Sequence, residues 1–195
     1  GLGAYDRTGA SASIGGNVDA LGGDDVLIGA SRFDGDGLSK GAAFLMAGSD
    51  VVGDVSAEAA LITLVGETNH DRAGSGVAIV GDTNGDGFDD FVVGAFAEDS
   101  GGDAAGAAYL ILGGGLTGAV SLGDADAKLI GEAGGDHAGL VVAAAGDTDG
   151  DGNDDFYIGA PAHDDVASDM GARYLVRGPV TEDIDLSFAS VRFVG

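Results

Sequence analysis

The chain contains no cysteine, which excludes disulfides and thiolate metal sites alike and leaves its compartment open. Tryptophan is absent as well, and proline occurs only 2 times. Basic residues are scarce: 8 Lys and Arg stand against 33 Asp and Glu, for a formal net charge of −25. Such an excess repels nucleic acid and anionic membranes at long range and makes cations the natural counterparts. No apolar run approaches the ~18 residues of a membrane helix. The opening GLGAYDRTGA has neither the basic nor the apolar region of a signal peptide, so a soluble mature segment is expected, or one excised from a longer parent.

What abounds is glycine, 39 of 195 residues, where average proteins hold ~7%. There is no three-residue period, and the glycines separate short runs of Val, Ile, Leu, Phe and Ala. That is the punctuation of many short strands and tight turns. With 45% hydrophobic residues the chain has enough apolar material for a core.

Two nonapeptides, DTNGDGFDD at 82–90 and DTDGDGNDD at 147–155, stand 65 positions apart. The same spacing recurs along the whole chain. Asp6, Asp71 and Asp136 align, as do Gly9, Gly74 and Gly139, then Gly16, Gly81 and Gly146, and Asp25, Asp90 and Asp155. The runs VLIGA, FVVGA and FYIGA follow at 26–30, 91–95 and 156–160, then GAAFL, GAAYL and GARYL at 41–45, 106–110 and 171–175, each reaching a glycine at 48, 113 or 178. Three tandem copies therefore cover 1–65, 66–130 and 131–195.

In the middle copy strands are expected near 75–80, 91–95, 106–112 and 127–130, with no sustained 3.6-residue period anywhere. Four strands per copy is the size of a β-propeller blade, and stacked blades supply the core that one sheet lacks. The expected fold is all-β, built of three four-stranded blades. A β-solenoid would use shorter, more uniform coils.

Each nonapeptide then joins the first strand of a blade to the second. Oxygen side chains fall at Asp82, Asn84, Asp86 and Asp90, with Phe88 offering a backbone carbonyl; the third copy repeats this with Asp147, Asp149, Asp151 and Asp155, and Asn153 for the carbonyl. Alternate oxygens on a tight loop converge on one hard cation, and Gly87 and Gly152 permit the turn. Four side chains, a carbonyl and a water satisfy Ca²⁺, whereas Mg²⁺ keeps fewer protein ligands. An EF-hand would need a bidentate Glu where Val93 and Ile158 stand, so a strand-loop-strand calcium site is expected. The first-copy loop, NVDALGGDD at 17–25, keeps Asn17, Asp19 and Asp25 but has Leu21 in place of the third carboxylate, and is expected to be weak or empty.

These residues resemble FG-GAP repeats, the blades of the integrin α-subunit propeller and of many bacterial surface proteins. The family pattern runs from Phe-Gly through D-x-[DN]-x-D-G-x-x-D to Gly-Ala-Pro. Gly-Ala-Pro is complete at Gly159, Ala160 and Pro161, and is GAF at 94–96 and GAS at 29–31; Phe-Gly is reduced to Thr8-Gly9, Ala73-Gly74 and Ala138-Gly139. GGDDVLIGA also looks like an RTX nonapeptide, but nothing here recurs every nine residues.

Other motifs carry less. Gly113, Gly115 and Gly118 spell G-x-G-x-x-G after YLIL, yet AVSLGDADAK is no helix, so a turn is expected. His70, His137 and His163 occupy non-equivalent positions without zinc spacing and are expected on surface loops; His137 beside Asp136 and His163 beside Asp164 are the only pairs suggestive of acid/base work. Asp99 and Asp164 are expected to brace adjacent blades or, as the alternative, to add ligands, and Phe44, Tyr109 and Tyr174 to pack in the core.

The resemblance implies a calcium-binding module of an extracellular or cell-surface protein, in which Ca²⁺ rigidifies loops while others engage a protein or glycan. No enzyme activity is expected of the chain itself; the alternatives are a non-catalytic propeller of a larger secreted enzyme, or a spacer in a repetitive adhesin. Because propellers close with four to eight blades, three imply a homodimer forming a six-bladed ring, part of a longer propeller, or ends capped by exchange.

Overall fold

The computed structural model describes residues 5–35, 38–115, 117–164 and 170–194. The protein is all-β, with three sheets of four or five strands, none closed on itself. Sheet 1 runs β1 (Thr8–Gly15), β2 (Asp25–Ala30), β3 (Ala42–Met46) and β4 (Ile62–Val65), each antiparallel to the last. Sheet 2 is built in the same way from β5 (Ala73–Gly81), β6 (Asp90–Ala95), β7 (Ala107–Ile111) and, after a short β8 (Gly118–Ser121), β9 (Ala127–Ile130). Sheet 3 follows with β10 (Val141–Gly146), β11 (Asp155–Ala160), β12 (Ala172–Val176) and, after a two-residue β13 (Ile184–Asp185), β14 (Val191–Val194).

The two short strands belong to neighbours. β8 leaves its own sheet and pairs in parallel with β4, and β13 does the same with β9, so each later copy lends a strand to the outer edge of the sheet before it. Each is followed by a single 3-10 turn whose leucine is buried between the two sheets so joined, Leu122 between sheets 1 and 2 and Leu186 between sheets 2 and 3. The turn over Gly113 and Gly115 thus ends in a strand at Gly118, where only a turn was expected. The 65-residue spacing also breaks once. β12 starts at Ala172, 65 after the Ala107 of β7, whereas β14 starts at Val191, 64 after the Ala127 of β9, so the third copy is one residue shorter there.

The period-2 alternation of strand side chains decides what packs on what. In β6, Phe91, Val93 and Ala95 face sheet 1 and meet Leu27, Leu45 and Leu64. Val92, between them, faces sheet 3 with Leu110 and Leu129, against Phe156, Ile158 and Tyr174. Sheet 2 is therefore buried on both faces, which is why its central strands read as unbroken apolar runs. Phe44, Tyr109 and Tyr174 are all buried at one equivalent position.

The glycine of the apolar-Gly-Ala run marks the closest approach of successive sheets. A Cβ on Gly29 would lie 2.1 Å from the carbonyl oxygen of Gly74, and one on Gly94 would lie 1.8 Å from that of Gly139. Real Cβ atoms cannot come so near backbone. Gly94→Ala is expected to destabilise the fold by about 1–3 kcal/mol by wedging sheets 2 and 3 apart, read as a lower urea midpoint at unchanged slope.

Candidate metal centre

The loop joining β10 to β11 is held by its own side chains. Asp147 accepts hydrogen bonds from the backbone N–H groups of Gly150 (2.6 Å), Asp151 (3.2 Å) and Gly152 (3.0 Å). Asp149 accepts from Asp151 N–H at 3.3 Å, and Asp151 from Asn153 N–H at 2.8 Å. These are turns that Asp and Asn make with backbone two or more residues ahead. Gly150 and Gly152 sit at φ +81° and +96°, the left-handed region that the tight turn requires.

The consequence is convergence. One carboxylate oxygen from each of Asp147, Asp149 and Asp151 lies within 4.8 Å of the others, all three residues being exposed. Donation by the Gly152 and Gly150 N–H groups holds the Asp147 carboxyl below the usual carboxylate range, so it is ionised and ready as a ligand. Among the described residues the cluster has one cationic neighbour, Arg177, whose Nε lies 3.4 Å from Asp149. The donor set is all oxygen, which suits a hard cation and not a thiophilic one.

The β5–β6 loop repeats the frame. Asp82 accepts from Gly85, Asp86 and Gly87 N–H, Asn84 from Asp86 N–H, and Asp86 from Phe88 N–H. Even the first-copy loop keeps it: Asn17 accepts from Gly22 N–H and Asp19 from Leu21 N–H. Its Leu21 is 79% exposed at the place of the third carboxylate.

The last acid of each loop plays a different part from the first three. Asp25, Asp90 and Asp155 are buried at the start of their strands. Asp90 Oδ2 accepts from the N–H (2.9 Å) and hydroxyl (2.5 Å) of Thr83, while Oδ1 accepts from Gly113 N–H at 2.9 Å. Asp155 bonds Thr148 and Gly178 in the same way, and Asp25 bonds Val18, Asp19 and Gly48. Burial pushes the Asp90 carboxyl above its ordinary pKa, against the pull of the bonds from Thr83 and Gly113. Oδ2 of each carboxylate accepts two bonds and Oδ1 one, so one lone pair, on Oδ1, is left for a cation.

The acid just before it links one loop to the next. Asp89 Oδ2 accepts from Asn17 N–H at 2.7 Å, and Asp154 Oδ2 from Asp82 N–H at 3.1 Å. The three loops thus stand side by side at one end of the sheets.

Three other expectations meet the structure differently. His163 is not a surface residue: it is 5% exposed, and its Nδ1 lies 2.9 Å from Asp136, not Asp164, under the Tyr174 ring. Among the described residues the buried His163 Nε2 and Tyr174 hydroxyl have no hydrogen-bond partner, and His137 packs edge-on against Phe96. Asp99 closes its own loop by accepting from Ala104 N–H at 2.8 Å, and does not brace a neighbouring sheet. A tie the sequence reading missed lies within the second copy, where the Lys128 ammonium bonds Glu67 (2.8 Å), Glu98 (2.9 Å) and Ser100 (2.9 Å) beside the Tyr109 ring. The sole sequence signal for it was a lysine inside an apolar strand, AKLI.

No known family matches the chain, and no curated protein matches it in sequence. Among the described residues no helix is long and apolar enough to cross a membrane.

Proposed function

We propose that the chain is a calcium-binding module of β-propeller type, with sites in the loops at 82–90 and 147–155 and a weak or vacant one at 17–25. The observation that carries this is the convergence of the Asp147, Asp149 and Asp151 carboxylates within 4.8 Å on a loop that their own hydrogen bonds pre-form. Carboxylates so close repel one another, and a divalent cation relieves the repulsion. Asp155 completes the ligand set in the third copy with the Asn153 carbonyl; Asp82, Asn84, Asp86, Phe88 and Asp90 form the second set. Ca²⁺ fits better than Mg²⁺ because this many protein oxygens leave few places for the waters that Mg²⁺ retains.

On this reading the three sheets are FG-GAP-type blades of an extracellular or cell-surface protein, and calcium stiffens one end of the array for binding a protein or glycan. The loop frame recurs in all three copies, and links through Asp89 and Asp154 pass stiffness from loop to loop. For dissociation constants of ~10⁻⁴ to 10⁻³ M, tenfold excess calcium stabilises the fold by about 1.4 kcal/mol per site. Calorimetric titration of chelator-stripped protein tests this. Two calcium sites per chain with little response to magnesium are expected; no heat and no thermal shift at millimolar calcium would sink the reading.

A further inference from the structure

Two interfaces inside the chain, sheet 1 to sheet 2 and sheet 2 to sheet 3, are built on one plan with three fixtures. The first is the borrowed strand, β8 on β4 and β13 on β9. The second is a parallel bridge, Gly41 to Ala73 and Gly106 to Ala138. The third is the loop link, Asp89 to Asn17 N–H and Asp154 to Asp82 N–H. Sheet 3 offers the receiving half of all three: the edge strand β14, Gly171 and the backbone of Asp147. The first copy holds the giving half of all three: the segment 53–56, Thr8 and the exposed Asp24.

The giving segment reads GDVS, against GAVS in β8, and among the described residues it pairs with no strand. Ser56 caps the 3-10 turn that follows by accepting from Glu58 N–H, as Ser121 does from Gly123 N–H. The register of β8 and β13 carries over to β14 as Asp54 opposite Arg192 and Val55 opposite Phe193. Asp183 stands at the matching place in the third copy, and its carboxylate accepts from the N–H of Lys128, the residue equivalent to Arg192. The match is a carboxylate on a backbone N–H and not an ion pair, because the Lys128 ammonium is held by Glu67 and Glu98 and the Arg192 guanidinium by Glu132.

Size is matched too. Where sheet 2 presents Val92, Ala108 and Leu129 to its neighbour, sheet 3 presents Tyr157, Arg173 and Phe193, larger at each place. With Val141 and Met170 these line an open groove of about 640 Å³, and Phe193 is 51% exposed. Conversely, where sheets 2 and 3 present Phe91 and Phe156 backward, sheet 1 presents Val26, and Ala57 stands in place of the anchoring Leu122. The outward face has grown where the backward face has shrunk.

We propose that the groove and the β14 edge of sheet 3 receive sheet 1 of a second copy of this chain, with residues 53–56 of that copy added in parallel to β14. Made reciprocally, the contact joins two chains into a ring of six sheets, within the four to eight at which propellers close. It goes beyond the calcium reading and does not rest on it.

Gly159 gives a clean probe. A Cβ there meets nothing nearer than Val141 at 3.4 Å, so Gly159→Ala is tolerated within the chain. In the docked pair it would strike the Gly9 carbonyl, as a Cβ on Gly94 would strike Gly139. Asp54→Lys, on an exposed segment, removes the carboxylate that would accept from Arg192 N–H as Asp183 accepts from Lys128 N–H.

Sedimentation equilibrium at ~0.15 M salt, where screening limits repulsion between two acidic chains, is expected to give twice the 18.9 kDa chain mass. Each variant should keep the wild-type circular dichroism and weaken dimerisation at least about tenfold. Mixing the two variants should restore part of the association, since Asp54→Lys keeps an intact groove and Gly159→Ala an intact donor. A monomeric wild-type chain at ~100 μM, or a dimer that both variants leave unchanged, overturns the proposal.

Discussion

Asp90→Ala is expected to destabilise the protein by about 4 kcal/mol, close to the upper end for a single substitution and a large share of the 5–15 kcal/mol that holds ordinary domains folded. Asp90 is fully buried, and its two oxygens gather three donors: Thr83 N–H, the Thr83 hydroxyl and Gly113 N–H. Bonds to a charged acceptor contribute ~1.5–3 kcal/mol each, and donors left unpaired in the interior add their own penalty. Alanine removes the acceptor and leaves all three behind. The damage is topological as well as local, because Thr83 begins the metal loop and Gly113 ends β7's side of the sheet, so Asp90 pins loop and sheet together. Urea unfolding in chelator isolates this from any metal contribution.

Two controls separate the effect from a general intolerance of β6. Thr83→Val keeps the volume and the N–H but deletes the hydroxyl bond, and should recover most of the wild-type midpoint. Leu21→Ala, at an exposed place in the equivalent first-copy loop, should change stability by less than about 0.5 kcal/mol. A deficit under about 1 kcal/mol for Asp90→Ala would mean that water replaces the carboxylate and that the loop is held by Asp82 and Asp86 alone.

How much of this was legible beforehand follows the strength of each local signal. β6, β7 and β9 fall within a residue or two of the expected 91–95, 106–112 and 127–130 because each is a buried apolar run between glycines. β8 and β13 went unseen. A strand of two to four residues pairing with a different sheet has no alternation of its own to display, and GAVS differs from a turn only by what lies beside it. The missing residue of the third copy was hidden because the aligned features stop at Gly178, just before the shift.

The loops were legible as Asp, Asn and Gly at alternate places, yet composition alone did not distinguish Asp86, turned to solvent, from Asp90, turned inward. That division comes from the strand register at the end of the loop. His163 was misplaced for a related reason: histidine carries no clear burial preference. A hint existed, since the equivalent place in the first copy is Phe33, which packs against Phe44.

The second large effect is expected from Lys128→Met, about 3 kcal/mol at pH 7, with a pH dependence that identifies its cause. The ammonium is faced by Glu67, Glu98, Ser100 and the Tyr109 ring, and the Tyr109 hydroxyl donates to the same Glu67 oxygen at 3.1 Å. The Glu98 side chain is only 6% exposed, so methionine, which fills the space of the lysine stem, leaves a buried carboxylate with no cation. Breaking a buried pair in this way costs ~3–5 kcal/mol. The lower figure applies because Glu67 remains partly in water.

The hydrogen bond from Lys128 dominates the lowering of the Glu67 pKa, and burial only partly opposes it. A carboxylate whose folded pKa is depressed contributes stability that is present above its unfolded pKa, ~4.3 for glutamate, and is lost as pH falls through the lower folded value. Burial acts against the Lys128 charge, but its bonds to Glu67 and Glu98 prevail and raise its pKa, so it stays charged throughout this range. Without it the pull on Glu67 is gone, so the stability tied to the depressed Glu67 pKa is missing from the variant. The deficit of the variant should therefore persist from pH 7 down to about pH 4.3 and narrow only as the pH falls further, compared by urea unfolding at pH 7 and about pH 3 at fixed salt in chelator. An equal deficit at both pH values would assign the loss to packing around Tyr109 and not to charge.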